Sequence, residues 1–569
     1  MKEQQWVVSA KKADFKAIGE RFGIDPVIAR IIRNRDLTAD EEIARFLSGT
    51  VADLHDPMLL RDMDRAVSIL EEKIREGKRI RIVGDYDIDG VMGSYILKNG
   101  LERLGALADV RIPERETDGY GISIRMVEEA AADGVDTILT CDNGIAAGEQ
   151  VSLAKEKGLS VIVTDHHGVT EIPPADAVVN PHRPDCGYPY KELCGAGVAY
   201  KLVDALFRSA REQGLPGAPG EDGILEYLPY AAFATVGDIV DLTGENRILV
   251  KEGLGRLRKT ENRGLLALCR ECGIEGRAID TYHIGFVLGP CINASGRLGS
   301  AMRAYELLSA EDSETASRLA YTLRSLNDSR KSLTEEGVAA ASAIIESGAD
   351  VGKKIFVLFL PELHESICGI VAGRIRELYG HPTYILTRSG DLVKGSGRSA
   401  GSYSMFDELC RCSDLLEKFG GHPMAAGLTL REENVDGLRR RLNEECSLSE
   451  DDFADKVRID VPMPLSYISE NLINSLSCLA PFGKGNPKPV FAVRDVVAIS
   501  PRILGARRNV LKMQVQEPDG TVMDAVAFRG AEELSVRIAE NPHFMIAYYP
   551  QINEYAGTRT LQIVIENWK

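Results

Sequence analysis

The chain has 569 residues, of which 44% are hydrophobic and 27% are charged, and it carries a formal net charge of −17. A chain of this length exceeds the size at which one hydrophobic core keeps growing, so several domains are expected. The acidic balance argues against a protein that coats nucleic acid nonspecifically, because backbone binding depends on Lys and Arg. It leaves room for a local basic groove and for carboxylates whose charge bound cations offset.

The sequence also bears on cellular location. It has no run of about 18 apolar residues, and its N-terminus lacks the apolar stretch of a secretory signal, so we expect a cytoplasmic protein without a membrane segment. An odd number of cysteines, eleven, suits free thiols in a reducing compartment. Cys269 and Cys272 have CxxC spacing, but no second pair lies at zinc-ribbon distance, and we expect two small helical residues there.

In chain order, residues 1–54 are predicted to form a small helical segment. From about residue 78 to 242, short β-branched runs alternate with helical patterns, which predicts a mainly parallel sheet with helices on its faces. The runs Arg79–Val83, Thr137–Cys141 and Ser160–Thr164 each end in acidic or imidazole side chains. Because open α/β sheets bind ligands at the carboxyl ends of their strands, these side chains are expected to share one site.

A second α/β unit is predicted farther along the chain. Residues 301–347 are rich in Ala, Leu, Glu and Arg without Pro, which predicts long connecting helices between the two units. The second unit is expected over 352–445, with a strand at 354–360 and a Gly-rich return at 419–427.

From about residue 456 the pattern changes to short alternating strands, which predict a small β-barrel. The strands are expected at 489–497, Val510–Gln516 and 560–565. Positive charge is locally in excess here, which suits a groove that follows a nucleic-acid backbone on an oligonucleotide-binding (OB) fold. The basic residues are Lys484, Lys488, Arg502, Arg507, Arg508 and Lys512.

The strongest signal is a group of three carboxylates, Asp85, Asp87 and Asp89, at alternate positions after the first run. Like charges this close raise one another's pKa, and a bound divalent cation reverses that cost. The sequence therefore predicts a cation site beside the first strand.

Other candidate ligands follow the remaining runs. Asp142 follows the second run, His166 and His167 follow the third, and Asp238 is expected at a fourth strand end. Carboxylates with one or two His suit a pair of ions, Mn²⁺ before Mg²⁺, whereas zinc more often recruits Cys or three His. Two such ions about 3.5–4 Å apart can activate a water and stabilise both oxygens of an in-line displacement at phosphorus.

Asp142 is the expected bridge between the ions, because it is the sole acid of its motif and lies between the others in the proposed sheet. The remaining ligands are expected to complete the two shells: Asp85, Asp87, Asp89, His166 and Asp238. Spacing does not decide which of the first three acids contacts a metal directly. Three roles stay open for His167: a metal ligand, a support for a metal ligand, and a group that polarises the phosphate or protonates the leaving group.

These ordered motifs resemble those of the DHH phosphoesterase superfamily, and further segments resemble its RecJ family rather than its smaller members. The superfamily motifs are Asp85-Tyr86-Asp87-Ile88-Asp89-Gly90, Asp142, Asp165-His166-His167 and Asp238. The RecJ-like segments are 180–185, 195–199, 289–297, 395–399, 420–427 and 481–487. Two departures flank these motifs: Asp241 stands where Pro is more usual, and Leu363 stands where Trp is usual.

The resemblance implies a DHH domain over 55–300, connecting helices over 301–350, a DHHA1 domain over 351–450 and an OB-like barrel over 451–569. It also implies a single-stranded-DNA-specific exonuclease that works 5′ to 3′ in DNA repair and recombination. The first two α/β units would face each other across a cleft that admits one strand. A helicase and a single-strand-binding protein are implied as partners, and a self-contained cleft needs no second subunit.

The resemblance also assigns groups that would hold the strand, because Gly-rich turns with Arg or His offer backbone N–H groups and planar donors to a phosphate. The candidates for the 5′ end and neighbouring phosphates are Arg115, Arg297, Ser396, Arg398, Gly420 and Gly421. His364 and His422 are expected to approach the scissile phosphate.

Three alternatives remain open on sequence alone. A DHH phosphodiesterase for short oligonucleotides or cyclic dinucleotides, or a pyrophosphatase, would typically be shorter. A catalytically inactive DNA-binding replication factor would share the fold, although every expected ligand position here is still acidic or His. A protein that only coats DNA fits neither the net charge nor the carboxylate cluster.

Overall fold

The computed structural model describes residues 4–115, 117–215, 217–349, 352–453, 455–505, 508–555 and 557–569. The chain forms two compact units. The first combines Met1–His55, Ile239–Glu252 and Asp455–Lys569, and the second combines Asp56–Asp238 and Gly253–Ala454. Among the described residues, no helix has both the length and the apolar character that crossing a membrane requires.

The elements follow one another along the described ranges. The strands are β1 (Gln4–Val8), β2 (Arg79–Val83), β3 (Leu107–Arg111), β4 (Thr137–Cys141), β5 (Ser160–Thr164), β6 (Ala177–Val179), β7 (Phe356–Phe359), β8 (Thr383–Ser389), β9 (Leu392–Arg398), β10 (Leu416–His422), β11 (Ala425–Leu430), β12 (Asp455–Ile459), β13 (Val461–Pro462), β14 (Phe491–Leu504), β15 (Val510–Gln516), β16 (Val522–Ala527), β17 (His543–Tyr555) and β18 (Thr558–Trp568). The helices are α1 (Phe15–Phe22), α2 (Pro26–Asn34), α3 (Asp40–Ser48), α4 (Met63–Arg75), α5 (Ile88–Arg103), α6 (Ile124–Ala132), α7 (Gly148–Glu156), α8 (Gly195–Glu212), α9 (Leu228–Gly237), α10 (Gly244–Leu257), α11 (Arg263–Glu271), α12 (Gly289–Leu298), α13 (Met302–Leu308), α14 (Ser313–Ile344), α15 (Cys368–Tyr379), α16 (Met405–Arg411), α17 (Val435–Glu444), α18 (Glu470–Leu476) and α19 (Ala531–Glu540).

The second unit contains a parallel sheet in the order β3-β2-β4-β5-β6. Strands β2, β4 and β5 coincide with the three predicted runs, and they are buried along nearly their whole length, as expected for a sheet covered on both faces. The prediction missed β3 and β6. Strand β3 lacks an apolar run because Asp109 and Arg111 are two of its five residues, and Asp109 forms an ion pair with the buried Arg81 of β2, at 2.7 Å. The mainly parallel α/β fold is confirmed.

The same unit contains a mixed sheet in the order β10-β11-β9-β8-β7, in which only β7 and β8 run parallel. Strand β7 lies within the segment predicted as a strand, and α13 and α14 are the expected connecting helices. The hairpin of β10 and β11 reverses direction within the segment predicted as a Gly-rich return, but the residues expected in Gly-rich turns lie in the strands themselves. Ser396 and Arg398 lie in β9, and Gly420, Gly421 and His422 lie in β10.

The first unit contains the predicted barrel. Its strands run in the order β13-β14-β15-β16-β18-β17, and an additional pairing of β14 with β17 closes the sheet. The segment predicted to be helical contains α1–α3 but also β1, which pairs in parallel with β12, so the helical prediction is wrong for Gln4–Val8. Apolar side chains of α2 and α3, including Ile31 and Phe46, share one core with barrel residues such as Leu511 and Ile546.

A buried arginine ties three segments of the first unit together. Arg247 of α10 is 2% exposed, and its guanidinium donates to the carbonyl oxygens of Phe46, Cys478 and Leu479 at 2.8–2.9 Å. It also lies 3.8 Å from the centre of the Phe46 ring, where a cation is attracted by the aromatic face. Burial lowers the pKa of Arg247 to about 10. One side chain thus satisfies carbonyls from α3 and from the segment between β13 and β14.

We expect Arg247→Met to destabilise the first unit, because it leaves these buried carbonyls without donors. Each buried polar group left without a partner costs about 1–3 kcal/mol, so we expect the free energy of unfolding to fall by about 3 kcal/mol. For a unit of this size, that loss corresponds to a fall of roughly 6–12 °C in Tm, which calorimetry would measure.

Arg508→Met is the matched control, because Arg508 pairs with Glu532 on the surface, where both side chains are more than 60% exposed. The control is expected to change Tm little. Equal Tm values for the two variants would contradict the structural role of Arg247.

Candidate functional site

Three acids follow strand β2 at the carboxyl edge of the parallel sheet. Asp85 lies in the connection, Asp87 is the N-cap of α5, and Asp89 lies in the first turn of that helix. The Asp87 carboxylate accepts hydrogen bonds from the backbone N–H groups of Asp89 and Gly90, at 2.9 and 3.2 Å. Capping therefore fixes the side chain of Asp87 and the start of the helix together.

Asp89 is held by a second helix. Its two carboxylate oxygens accept from the N–H groups of Gly195 and Ala196, at 2.6 and 2.8 Å, at the start of α8. The positive end of the helix dipole stabilises a carboxylate that is 0% exposed. The same glycine contacts Asp142, because a Cβ on Gly195 would lie 2.6 Å from Asp142 Cβ.

Asp142 occupies the centre of the group. It follows β4, the middle strand of the sheet, and it adopts a φ of 63°, a left-handed conformation that is uncommon outside glycine and collects at functional sites. Asp142 is 2% exposed, and among the described residues no hydrogen-bond donor satisfies its Oδ1 atom. A buried carboxylate oxygen without a donor is a natural ligand for a divalent cation.

His166 brings the other acids into reach. Its Nε2 atom lies 3.1 Å from Asp142 Oδ1, 3.5 Å from Asp89 Oδ2 and 3.8 Å from Asp238 Oδ2. The position predicted for Asp238 was wrong, because this acid is the C-cap of α9 and does not end a strand. The apolar residues before Asp238 belong to the buried helix α9, and the Asp238 carboxylate nevertheless lies beside His166 at the edge of the parallel sheet.

The ligand atoms fall into overlapping groups whose members lie within 4.8 Å of one another. The groups are Asp85, Asp87 and Asp142; Asp89, His166 and Asp238; and Asp142, His166 and His167. All six predicted metal ligands are thus brought together. The first two groups share no residue, and Asp142 of the first lies beside His166 of the second, so the donors suit two neighbouring cations. Oxygen donors with one or two imidazoles suit Mn²⁺ or Mg²⁺.

The charges explain why this cluster favours cations. Burial, followed by the negative charges of neighbouring aspartates, raises the pKa values of Asp85, Asp87 and Asp142 above the ordinary range. Burial also lowers the pKa of His166, which leaves its imidazole neutral and able to bind a metal. Two divalent cations would offset the negative charge of these carboxylates.

His167 has a different environment from His166. Its Nδ1 atom lies 2.8 Å from Asp165, and the Tyr120 hydroxyl lies 3.2 Å from the ring and donates to the carbonyl oxygen of Asp142. Burial alone would lower the pKa of His167, but the hydrogen bond to Asp165 and the negative charges of Asp165, Asp238 and Asp89 together outweigh burial and raise the pKa to about 9. Burial would raise the pKa of Asp165, but the same hydrogen bond, the charge of His167 and the N–H of Ile145 together hold it below its ordinary value.

A cavity of about 470 Å³ contains most of the predicted strand-binding residues. Arg115, Arg297, Ser396, Arg398 and Gly420 line it, together with Lys394, Lys418, Glu365 and Ser366. The guanidinium of Arg297 donates to the carbonyl oxygen of Ser366, and that of Arg398 donates to the Ser396 hydroxyl, at 3.0 and 2.9 Å. These acceptors are neutral, so the positive charges remain available to an anion.

Aromatic contacts connect the cavity with the carboxylate cluster. The Arg115 guanidinium lies 5.1 Å from the centre of the Tyr86 ring, and the Tyr86 ring meets that of Tyr120 edge to face. A Cβ on Gly296, next to Arg297, would lie 2.1 Å from the carbonyl oxygen of Tyr86, so only glycine permits this approach. The first acidic motif and the cavity wall are therefore in direct contact.

The remaining predicted residues divide. His364 lines a smaller cavity of about 300 Å³ with Arg115 and Arg297, and its ring bonds to Ser366. Gly421 and His422 line neither cavity; they lie at the end of β10, where His422 is exposed.

The sequence interpretation missed several supporting groups. Asn293 accepts a hydrogen bond from the Ile88 N–H at 2.8 Å, and the Asn143 side chain donates to the carbonyl oxygens of Val83 and Cys141. Both Asn residues lie within or beside the recognised motifs, which is a signal that could have found them. Tyr120 lies in a loop, outside the pattern of strand ends.

We expect Gly195→Ala to weaken Mn²⁺ binding at least about tenfold, a loss of about 1.4 kcal/mol. The added Cβ would displace Asp142 and the two N–H groups that hold Asp89. Calorimetric titration of the metal-free protein with MnCl₂ would measure the affinity.

Gly197→Ala is the control in the same helix, since a Cβ there meets its nearest atoms at an ordinary 3.5 Å. If both variants bind Mn²⁺ as the parent chain does, the close contact between α8 and Asp142 has no role in metal binding.

Three family models match the chain. They are the DHH family N-terminal domain over residues 79–228, the DHHA1 domain over 352–448 and the RecJ OB domain over 459–567. Among curated relatives, the single-stranded-DNA-specific exonuclease RecJ of Bacillus subtilis is 34% identical over 99% of this chain and 71% of its own length. That of Haemophilus influenzae is 33% identical over 96% of this chain and 97% of its own length.

Solved structures agree with this assignment. The crystal structure of RecJ from Thermus thermophilus in complex with Mn²⁺ superposes with a TM-score of 0.83 and 30% sequence identity, and the match covers 100% of this chain and 80% of that one. The complex of the same protein with Mg²⁺ gives a TM-score of 0.79 and 29% identity, covering 100% and 78%. With its parallel sheet, carboxylate cluster and C-terminal barrel, the chain belongs to the RecJ family.

Proposed function

We propose that the chain is an exonuclease that hydrolyses single-stranded DNA from the 5′ end with two Mn²⁺ or Mg²⁺ ions. The observation that carries this proposal is the pair of ligand groups around the buried Asp142. They are in contact with a cavity of the same unit that arginine and lysine side chains line. The relatives' names give the substrate class, since those proteins are single-stranded-DNA-specific exonucleases.

The six clustered acids and imidazoles divide between two cations in this proposal. Asp85, Asp87 and Asp142 would hold one ion, Asp89, His166 and Asp238 would hold the other, and Asp142 would contribute to both. When bound, two such ions lower the pKa of a water and stabilise the attacking and leaving oxygens at phosphorus.

Protein side chains complete the chemistry. His167 is 40% exposed, compared with 12% for His166, and its Nδ1 atom is already engaged by Asp165. We therefore assign His167 to the phosphate rather than to a metal; its ring, oriented by Asp165 and Tyr120, would donate a hydrogen bond to a phosphate oxygen. His364 lines the smaller cavity beside Arg115 and is assigned to the neighbouring phosphate.

The cavity accounts for the expected direction. Arg115, Arg297 and Arg398, with the Ser396 hydroxyl, would bind the phosphate at the 5′ end. The cavity contacts the first acidic motif through Tyr86, so an end bound there would direct the following phosphodiester toward the cations. His422 and Gly421 stand apart from both cavities, and we retain only Gly420 of that segment as a backbone donor.

The barrel supports a role in binding the DNA strand. Arg502 and Lys512 are cross-strand partners on β14 and β15, which places two positive charges side by side. Three of the other basic residues are already engaged, since Lys484 pairs with Asp241, Lys488 lies over the Tyr549 ring, and Arg508 pairs with Glu532. Arg507 lies outside the described residues. The basic surface is therefore smaller than its residue count suggests.

The alternatives fit less well. An inactive DNA-binding relative would not need all six ligand side chains gathered within 4.8 Å groups. A phosphodiesterase for dinucleotides would not need the OB domain matched over residues 459–567. A cytoplasmic location, a monomeric state and delivery of the substrate by a helicase and a single-strand-binding protein stay predictions, as do roles in DNA repair and recombination.

The decisive assay uses end-labelled single and double strands with and without Mn²⁺. We expect metal-dependent mononucleotide release from the 5′ end of the single strand only. Asp142→Ala is expected to lower the rate at least about 100-fold because it removes the shared ligand. Binding of the strand, measured by fluorescence anisotropy, is expected to remain largely intact.

Asp328→Ala provides a control on the exposed face of α14 and should leave the rate unchanged. Full activity of Asp142→Ala would rule out its bridging role. A strong preference for dinucleotides over long strands would overturn the substrate assignment.

The phosphate cavity makes a separate prediction. Arg398→Met should raise the KM for a 5′-phosphorylated strand about tenfold or more, because a charged hydrogen bond to phosphate contributes about 1.5–3 kcal/mol. The KM for a 5′-hydroxyl strand should change little.

Arg388→Met removes a guanidinium of the same sheet that instead pairs with the exposed Glu432, and it should alter neither KM. An equal effect of Arg398→Met on both strands would mean that the cavity does not recognise the 5′ phosphate.

A further inference from the structure

The CxxC pair has a third cysteine beside it. Cys272 is the C-cap of α11, and its Sγ atom lies 3.8 Å from Sγ of Cys291 in α12. The side chain of Asn327 in α14 donates to the Cys291 sulfur at 3.5 Å. Both sulfurs lie within the second unit, outside the carboxylate cluster and the phosphate cavity.

The chemical environments of the two sulfurs differ. The hydrogen bond with Cys291, assisted by the charges of Arg324 and Lys331, lowers the pKa of Cys272 to about 7 despite burial. The same hydrogen bond, followed by burial, raises the pKa of Cys291 above its ordinary range. Cys272 is half-buried and Cys291 is fully buried. Such a pair combines one accessible thiolate with one sheltered partner thiol.

We propose that Cys272 and Cys291 form a dithiol that hydrogen peroxide oxidises to an intramolecular disulfide, and that this bond slows the exonuclease. The juxtaposition of the two sulfur atoms carries the inference. A disulfide bond is about 2.05 Å long, so the sulfurs must come about 1.8 Å closer than their 3.8 Å separation. Cys272 is followed by Gly273, which has a φ of 70°, so the end of α11 can take up part of this movement, and the remainder falls on Cys291 and α12.

The reaction balances in two steps. The Cys272 thiolate attacks a peroxide oxygen; an S–O bond forms as the O–O bond breaks, and the hydroxide released takes up the thiol proton to become water. The Cys291 sulfur then attacks the sulfenic acid of Cys272; an S–S bond forms as the S–O bond breaks, and a second water leaves with the Cys291 proton. The two thiols lose two electrons, and one peroxide becomes two waters.

The consequence for catalysis follows from α12 and rests on the proposed function. Asn293, two residues after Cys291, accepts a hydrogen bond from the N–H of Ile88, which lies between two of the clustered acids in the sequence. Arg297, at the end of the same helix, lines the phosphate cavity. Drawing Cys291 toward α11 would therefore shift a helix that supports both parts of the site. We expect at least a threefold loss of rate that a thiol reductant reverses.

The test oxidises the full chain with hydrogen peroxide in the absence of metal, blocks free thiols, and maps tryptic peptides by mass spectrometry. Trypsin separates the three cysteines, because Cys269, Cys272 and Cys291 fall in residues 264–270, 271–277 and 278–297. We expect the second and third peptides to be joined and lighter by two hydrogen atoms than their reduced sum. The rate on single-stranded DNA is then measured with Mn²⁺ before and after reduction.

Cys272→Ser should abolish both the linked peptide and the reversible loss of rate, whereas Cys410→Ser, which removes an exposed thiol, should change neither. A link between the first two peptides, or irreversible oxidation of Cys272 without a link, would overturn the proposed pair. A complete link with an unchanged rate would overturn the effect on catalysis. The peptide map does not depend on nuclease activity, so its failure is distinguishable from failure of the proposed function.

Discussion

Mutual repulsion among buried carboxylates is the constraint on which the functional part of the molecule depends. Asp85, Asp87, Asp89 and Asp142 converge at one sheet edge where little water can screen them. The fold tolerates them through local donors, namely the cap of α5 and the first N–H groups of α8. Those donors neutralise only part of the charge. Divalent cations supply the remainder, so the same crowding that burdens the apo fold becomes affinity for metal.

Much of this site could be predicted because parallel strands translate sequence order into spatial proximity. The runs that became β2, β4 and β5 are buried on both faces, so their apolar residues identify them without tertiary information. Asp238 shows the limit of that logic. A short apolar run before an acid suits a strand or a buried helix equally, and only packing decided for the helix α9.

The Gly-rich segments show a different limit. Glycine clusters usually indicate turns, yet those of β9 and β10 lie in strands. Gly397 leaves space for the ring of Tyr384 on the neighbouring strand, a reason that local sequence does not contain. Likewise, no local pattern predicts that Arg115 and Arg398, separated by nearly half the chain, line one cavity. The family resemblance predicted that these two arginines act together, whereas local conformational propensity did not.

The first unit is assembled from segments far apart in the sequence, such as β1 and β12, and this has a consequence for its folding during synthesis. The first unit takes residues from both ends of the chain, so its N-terminal helices leave the ribosome long before the barrel strands that share their core. At about 5–20 residues per second, the roughly 400 intervening residues take on the order of 20–80 s to translate. During that interval the apolar faces of α2 and α3 lack their final partners, so the N-terminal helices cannot complete their core until the barrel strands have been translated.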